Sequence, residues 1–153
     1  MTDPWDSPFR ESDLSPEIVV YRAVPPFYVK WTSEDGHSVP LLRSQAFQTV
    51  SPTWAAEHDY LAPAMSVALS HLLEREGQPP DRVLDGKPAG SGIASFTVGD
   101  LQALRPRLGV VEDPTDSEPW HGLVFPIERR VIRAKEQAGL LEIASIYRDP
   151  DPL

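Results

Sequence analysis

The stretch Leu108–Pro126, LGVVEDPTDSEPWHGLVFP, decides the fold. It places two short apolar runs, 108–112 and 121–125, on either side of a polar segment that is rich in acids and prolines. Short apolar runs bounded by Asp, Pro and Ser are typical of strands joined by a turn, because Asp accepts hydrogen bonds from the backbone just ahead of it. The stretch therefore predicts one strand that turns back on another, which is the unit of an antiparallel sheet.

The rest of the chain mixes further short strands with helices. β-Branched and aromatic residues predict more strands, over 18–24, 27–32, 93–98 and 140–147. Apolar residues at helical spacing predict helices, over 52–57, 63–76, 100–105 and 126–139. Asp35-Gly36 predicts a hairpin turn, and Gly77 a helix end. The prediction is an α+β fold, with a mostly antiparallel sheet of about five or six short strands and three or four short helices.

The domain organisation follows from where charge and proline concentrate. Residues 1–17 are acidic and rich in proline, which predicts a weakly ordered N-terminal tail before a single domain over 18–148. Residues 149–153 form a short C-terminal tail. Trp5 and Phe9 lie four apart in the first tail, where they would anchor it on the domain or on a partner.

Composition narrows the classes of function. The chain has no cysteine, which excludes disulfides, thiolate zinc sites and cysteine nucleophiles. Its 17 prolines in 153 residues exclude a long helical bundle or a coiled coil. A net charge of −9 disfavours nucleic acid and favours a basic protein partner. With no basic-then-apolar leader and no apolar run of about 18 residues, a cytoplasmic protein that does not bind a membrane is expected.

His121 is the first candidate for chemistry. It opens a strand beside the amphipathic ring of Trp120, and the acids Glu112 and Asp113 precede it. One interpretation is a general acid or base whose ring is oriented by Asp113 or Glu112. The other is a plain acidic connection between strands. The sequence favours the second, because no recognised motif spacing is present, and it predicts no metal site.

Arg22, in the strand over 18–24, is the second candidate. A strand arginine that points into a cleft can hold a phosphate or a carboxylate with two parallel hydrogen bonds. The alternative is a half-buried arginine that pairs with one of the 23 acids of the chain. If Arg22 and His121 converge on one cleft, the expected function is a small transferase or hydrolase acting on a nucleotide or another phosphate-bearing substrate.

Two other segments have a functional and a plain interpretation, and two further histidines are assigned from their positions. The basic cluster Arg129, Arg130, Arg133 and Lys135 could hold an acidic partner or a phosphate, although the solvent face of a helix would carry the same charges. The loop 86–92 contains Lys87, but it lacks the order of a phosphate-binding loop and is predicted to be flexible. His71 is predicted to pair with Glu74, one helical turn on, and His37 to lie exposed in a turn.

The function that the sequence favours is a non-enzymatic protein-binding module. It would be the cognate of a basic toxin, or an accessory subunit of a larger assembly, and it would need no cofactor. The expected contact residues are Trp5, Phe9, Trp120, Arg129, Arg130 and Arg133. The alternative is the small enzyme, which would use Arg22, His121 and Asp113.

Overall fold

A computed structural model describes residues 14–43, 46–48, 64–126 and 132–151. The strands in these ranges are β1 (Val19–Val24), β2 (Val29–Glu34), β3 (His37–Leu42), β4 (Met65–Leu69), β5 (Gly92–Thr97), β6 (Leu108–Glu112), β7 (His121–Pro126) and β8 (Ser145–Arg148). The α-helices are α1 (Ser70–Arg75), α2 (Val98–Ala103) and α3 (Ala134–Ile143), and two 3₁₀ turns cover Pro26–Tyr28 and Pro80–Leu84. The helix predicted over 52–57 and the first 13 residues of the predicted tail lie outside the described residues.

Six strands form one antiparallel sheet, in the order β6-β7-β4-β1-β5-β8, within the described part of the chain. The other two, β2 and β3, form a separate hairpin. The stretch 108–126 is the predicted pair of strands, with Val110 opposite Val124. The α+β fold with an antiparallel sheet is confirmed.

The main core lies on one face of the large sheet. Each of the three helices contributes a fully buried leucine to it: Leu72 from α1, Leu101 from α2 and Leu140 from α3. Burying a leucine side chain contributes about 1.5–3 kcal/mol, which explains why short helices are stable here. A smaller cluster, with Tyr21 and Ala68, covers part of the opposite face.

The predicted hairpin turn at Asp35-Gly36 is confirmed. Both residues have positive φ, 50° and 78°, which is the backbone that a two-residue turn needs to match the twist of its strands. The strand predicted from Phe27 begins two residues later, at Val29, because Pro26 opens a 3₁₀ turn first. Val29 and Trp31 face the main core, so this hairpin packs on the domain through one of its faces.

The helix predicted over 63–76 is wrong in its first half. Residues 65–69 are the central strand β4, and α1 begins only at Ser70. The side chains of β4 are buried on both faces of the sheet, since Val67 and Ala68 point in opposite directions and are both buried. Such a strand is a continuous apolar run without alternation, and such a run also fits helical spacing. The predicted end at Gly77 is confirmed: its φ is 64°, and the next N–H, that of Gln78, donates to the carbonyl of Leu73 at 2.9 Å.

The last helix is displaced from its predicted position. Pro126, the predicted first residue, belongs to β7, and Gly139, the predicted end, lies inside α3. A Cβ on Gly139 would lie 3.0 Å from Cδ2 of Leu104, so this glycine permits close packing on the segment after α2. The final strand accordingly begins at Ser145 instead of Leu140.

Candidate functional site

The sheet opens between β1 and β4. Val20 pairs with Leu69 and Tyr21 with Ala68, and these are the only paired positions of the two strands, both described over their full length. On its other edge, β1 pairs with β5 at every residue from Val19 to Val24. The two strands therefore separate beyond Tyr21.

A cleft of about 110 Å³ lies at this opening. Its apolar lining includes Ala23, Pro25 and Val83, and its polar lining consists of Arg22, Tyr28, Ser66, Lys87, Glu118, Trp120 and His121. An enclosed cavity of about 150 Å³ holds a benzene molecule. The cleft can therefore take a group of phosphoryl or carboxylate size, with the remainder of a larger ligand lying outside it.

Arg22 is held at the opening by backbone carbonyl groups. Its Nη1 donates to the carbonyl oxygen of Ser66 at 2.8 Å, and its Nε donates to that of Ala46 at 3.2 Å. Burial lowers the pKa of Arg22 to about 10, with a smaller opposing effect from Tyr28, so the side chain stays cationic at neutral pH. Within the described ranges no carboxylate pairs with it, so the alternative of an ion pair with an acid is not seen there. A guanidinium has five N–H donors, and the partners found in the described ranges use two of them, so the others can serve a ligand.

His121 is 7% exposed and lies against Asp113. Its Nδ1 is 3.0 Å from Oδ2 of Asp113 and 3.1 Å from the carbonyl oxygen of the same residue. Because both of these oxygens accept, Nδ1 carries the proton, and Nε2 is the ring nitrogen available to a molecule in the cleft. Burial alone lowers the pKa of His121, but the hydrogen bonds to Asp113 and the charges of Asp113 and Glu118 outweigh it and raise this pKa above 6.5.

Arg22 and His121 reach the cleft from opposite faces of the sheet. Tyr21, Ala68 and His121 are paired in one row across β1, β4 and β7, so their side chains share a face. Arg22 follows Tyr21 in the strand and therefore starts from the other face. Its guanidinium meets the cleft because it lies in the gap where the strands have separated, next to Ser66.

Charge distinguishes the cleft from the rest of the molecule. Arg22, Lys87 and His121 line it against one carboxylate, that of Glu118, although the chain as a whole carries −9. Lys87 comes from the loop 86–92, which sequence reasoning treated only as flexible. In the sequence, Lys87 is a single cation among the glycines and prolines of a long loop. It can be assigned to the site only because the structure places that loop beside the opening.

Two of the other predicted contact residues lie in the described ranges: Trp120 is half-buried in the wall of the cleft, and Arg133 does not line it. Arg133 is exposed, and its backbone N–H donates to Oε1 of Glu136 at 3.1 Å, at the start of α3. The remaining four predicted contact residues lie outside the described ranges: Trp5, Phe9, Arg129 and Arg130. Their role in binding stays a prediction.

A second histidine–carboxylate pair lies nearby. Nε2 of His71 is 2.7 Å from Oε1 of Glu112, so the predicted pairing of His71 with Glu74 is wrong. The strand β6 brings Glu112 to the histidine instead. Glu112 is thereby occupied by His71, which leaves Asp113 as the residue that orients His121. His37 is exposed, as predicted.

In the described residues, no group of three or more His, Cys, Asp or Glu side chains is arranged to hold a metal ion. None of the helices seen in these ranges has the length and apolar character required to cross a membrane. No protein-family model, curated protein or solved structure matches this chain.

Proposed function

We propose that the protein is a small enzyme that binds a phosphate-bearing molecule at the β1–β4 opening and transfers or hydrolyses its phosphoryl group. The observation that carries this proposal is the environment of Arg22. It is a half-buried cation whose partners, among the described residues, are carbonyl oxygens of Ala46 and Ser66. Withdrawing a charge from water without a counter-charge is costly, and an anionic ligand would supply that counter-charge.

The charges of the lining favour phosphate as the anion. Arg22 and Lys87 outweigh Glu118 at the cleft, and the charge that His121 gains on protonation is balanced by the carboxylate of Asp113, 3.0 Å from its Nδ1. The lining therefore carries a net positive charge of one unit, which attracts an anionic group such as a phosphomonoester. The planar guanidinium also offers parallel donors that fit two phosphoryl oxygens.

The geometry of His121 supports acid–base chemistry at the same place. Asp113 holds Nδ1–H, so Nε2 faces the reaction and exchanges the proton. In the proposed step, the oxygen of water or of an acceptor alcohol forms a bond to phosphorus while the bond to the leaving oxygen breaks. The leaving oxygen takes the proton from Nε2 of His121, and the attacking hydroxyl releases its own proton to solvent. Arg22 stabilises the charge on the phosphoryl oxygens during this exchange.

The test is binding of inorganic phosphate by calorimetry, followed by turnover of phosphomonoesters such as p-nitrophenyl phosphate. Arg22→Gln should weaken phosphate binding at least tenfold, and His121→Gln should reduce turnover far more than binding. The matched control is Arg105→Gln, because Arg105 also donates to carbonyl oxygens, those of Gln102 and Leu104, but is exposed and does not line the cleft. Absence of phosphate binding in the unsubstituted protein, or equal binding in Arg22→Gln, would reject the proposal.

A protein-binding module is the second candidate, and exposed apolar side chains favour it. Phe27 is 56% exposed and Leu41 49% exposed, at the β2–β3 hairpin. Leu41 pairs with Lys30 on the hairpin face that points away from the core. Native mass spectrometry of protein purified gently from its own host tests this candidate. A stoichiometric second protein that is lost from the Phe27→Ser and Leu41→Ser variants would support it.

A further inference from the structure

The backbone groups of β1 alternate between its two neighbours. The N–H of Val19 donates to Oγ of Ser70 at 2.9 Å, on the β4 side, whereas the carbonyl of Ile18 accepts from the N–H of Val98 at 2.9 Å, on the β5 side. Successive residues of a strand direct these groups to opposite edges. The N–H groups of Val19, Tyr21 and Ala23 therefore point towards β4.

At Ala23 this edge has lost its partner strand. Tyr21 still pairs with Ala68. In an unbroken ladder the next hydrogen-bonded pair, two residues on, would be Ala23 with Ser66, but that pair does not form. The carbonyl oxygen of Ser66, which the N–H of Ala23 would otherwise reach, accepts from Nη1 of Arg22 instead. The guanidinium thus takes this acceptor, and among the described residues the N–H of Ala23 has no partner on the β4 side, where Ala23 lines the cleft.

We infer that the backbone N–H of Ala23 is a ligand-binding donor, and that it holds a phosphoryl oxygen next to the guanidinium of Arg22. The ligand oxygen occupies the position of the β4 carbonyl in a continuous ladder, so the ligand completes the sheet. This inference rests on the proposed function of the cleft. Backbone N–H groups at the edge of a cleft need an acceptor, and they are recurrent donors to phosphate because they are fixed by the strand that carries them.

The role of this donor differs from that of Arg22. The guanidinium supplies charge and would attract any anion of suitable size. The N–H of Ala23 sets the orientation of the bound anion, because β1 is fixed along its whole length by β5. It therefore places one phosphoryl oxygen at the opening. The phosphorus is thereby fixed relative to His121, since the pairing of Ala68 with His121 holds β7 in register with β4.

Amide NMR tests the inference directly. In a ¹H–¹⁵N correlation spectrum, titration with inorganic phosphate should move the Ala23 amide proton downfield, with the same saturation as the side-chain signals of Arg22 and His121. The Tyr21 amide is the internal control, since it is already paired with Ala68 and should move little. Saturation of the Arg22 and His121 signals with an unmoved Ala23 amide would overturn the inference and leave the proposed function standing. No phosphate binding at all would overturn both.

A backbone substitution gives an independent measurement. Replacing Ala23 by its α-hydroxy acid turns the amide into an ester, which removes the N–H and makes the preceding carbonyl, that of Arg22, a weaker acceptor. Phosphate affinity should fall about fivefold, the effect of one hydrogen bond, and thermal unfolding of the ligand-free protein measures the separate cost of the weaker carbonyl. The same replacement at the exposed loop residue Ala89 is the control and should leave affinity unchanged. Unchanged affinity in the Ala23 ester, or an equal loss in both esters, would contradict the inference.

Discussion

Nη1 of Arg22 donates to the carbonyl oxygen of Ser66 at 2.8 Å, across the gap in which the backbone ladder between β1 and β4 has stopped. A side chain of one strand thus satisfies a main-chain acceptor of the next. The contact has two consequences. It stabilises the open arrangement of the sheet, and it fixes a cation beside the cleft.

Arg22→Lys should damage both stability and binding. Lysine keeps the charge, but its single ammonium cannot reach two carbonyl groups and a ligand in the fixed geometry of a guanidinium. We expect a loss of about 1–3 kcal/mol in the free energy of unfolding, from carbonyl groups left without a donor. Urea denaturation measures this loss. Arg105→Lys, the exposed control, should stay within about 0.5 kcal/mol of the unsubstituted protein. Equal stability of the two variants would contradict the role given to Arg22.

His121 should make stability depend on pH. Its pKa is higher in the folded protein than its ordinary value of 6.5, so its contribution is complete below pH 6.5 and is lost as the pH rises through the folded pKa. The free energy of unfolding should therefore fall over that interval. Asp113→Asn removes the main charge that raises this pKa, and it should bring the NMR titration of His121 to lower pH.

The control for this pH dependence is His37→Gln, since His37 is exposed on the hairpin. The slope of stability against pH should be the same with and without His37. The assignment to His121 is wrong if His121→Gln keeps that slope, or if the NMR titration of His121 is unaffected by Asp113→Asn.

Gly122→Ala should destabilise the sheet beside His121. A Cβ at this position would lie 2.8 Å from Cδ1 and from Cγ of Leu69, and overpacking of this kind costs about 1–3 kcal/mol. Thermal or urea unfolding measures the loss. In a double-mutant cycle with Leu69→Ala, the combined loss should be smaller than the sum of the two single losses, because the clash disappears with the leucine. Additive losses would show that Leu69 is not the source of the strain.

Gly36→Ala should cost stability through the backbone alone. A Cβ on Gly36 would meet nothing within 4 Å, but its φ of 78° is unfavourable for alanine by about 1–2 kcal/mol. Asp35→Asn, at φ 50°, is the comparison, because asparagine tolerates this conformation and should change the unfolding free energy by less than about 0.5 kcal/mol. A neutral Gly36→Ala would mean that the hairpin contributes little to global stability.

The sequence predicted best those elements whose partners are near in the chain. The strands 108–112 and 121–126 and the turn at Asp35-Gly36 are local, since turn residues and short apolar runs determine them together. Residues 65–69 were mistaken for helix because their assignment depends on distant partners: β1 and β7 cover both edges of β4. Gly139 was mistaken for a helix end for the same reason, because its neighbour Leu104 comes from another part of the chain.

The candidate site divides in the same way. Asp113 and His121 are eight residues apart on one hairpin, so their contact could be anticipated from the acidic loop. The partner of Arg22 could not be anticipated, because a carbonyl oxygen has no signature in the sequence. The carbonyl oxygen of Ser66 is available to a side chain because the ladder between β1 and β4 stops before it. Where the ladder stops depends on how the two strands diverge. The position of Lys87 likewise depends on where a long loop crosses the sheet.

The unequal pairing of β1 has a mechanical consequence. β1 is joined to β5 at six positions and to β4 at two, so the sheet has two panels, β6-β7-β4 and β1-β5-β8, that are joined by the pairs Val20–Leu69 and Tyr21–Ala68. A force that separates the two panels would first break the pairs Val20–Leu69 and Tyr21–Ala68. Because both panels border the cleft, a molecule bound there would contact both of them and raise the force needed to separate them.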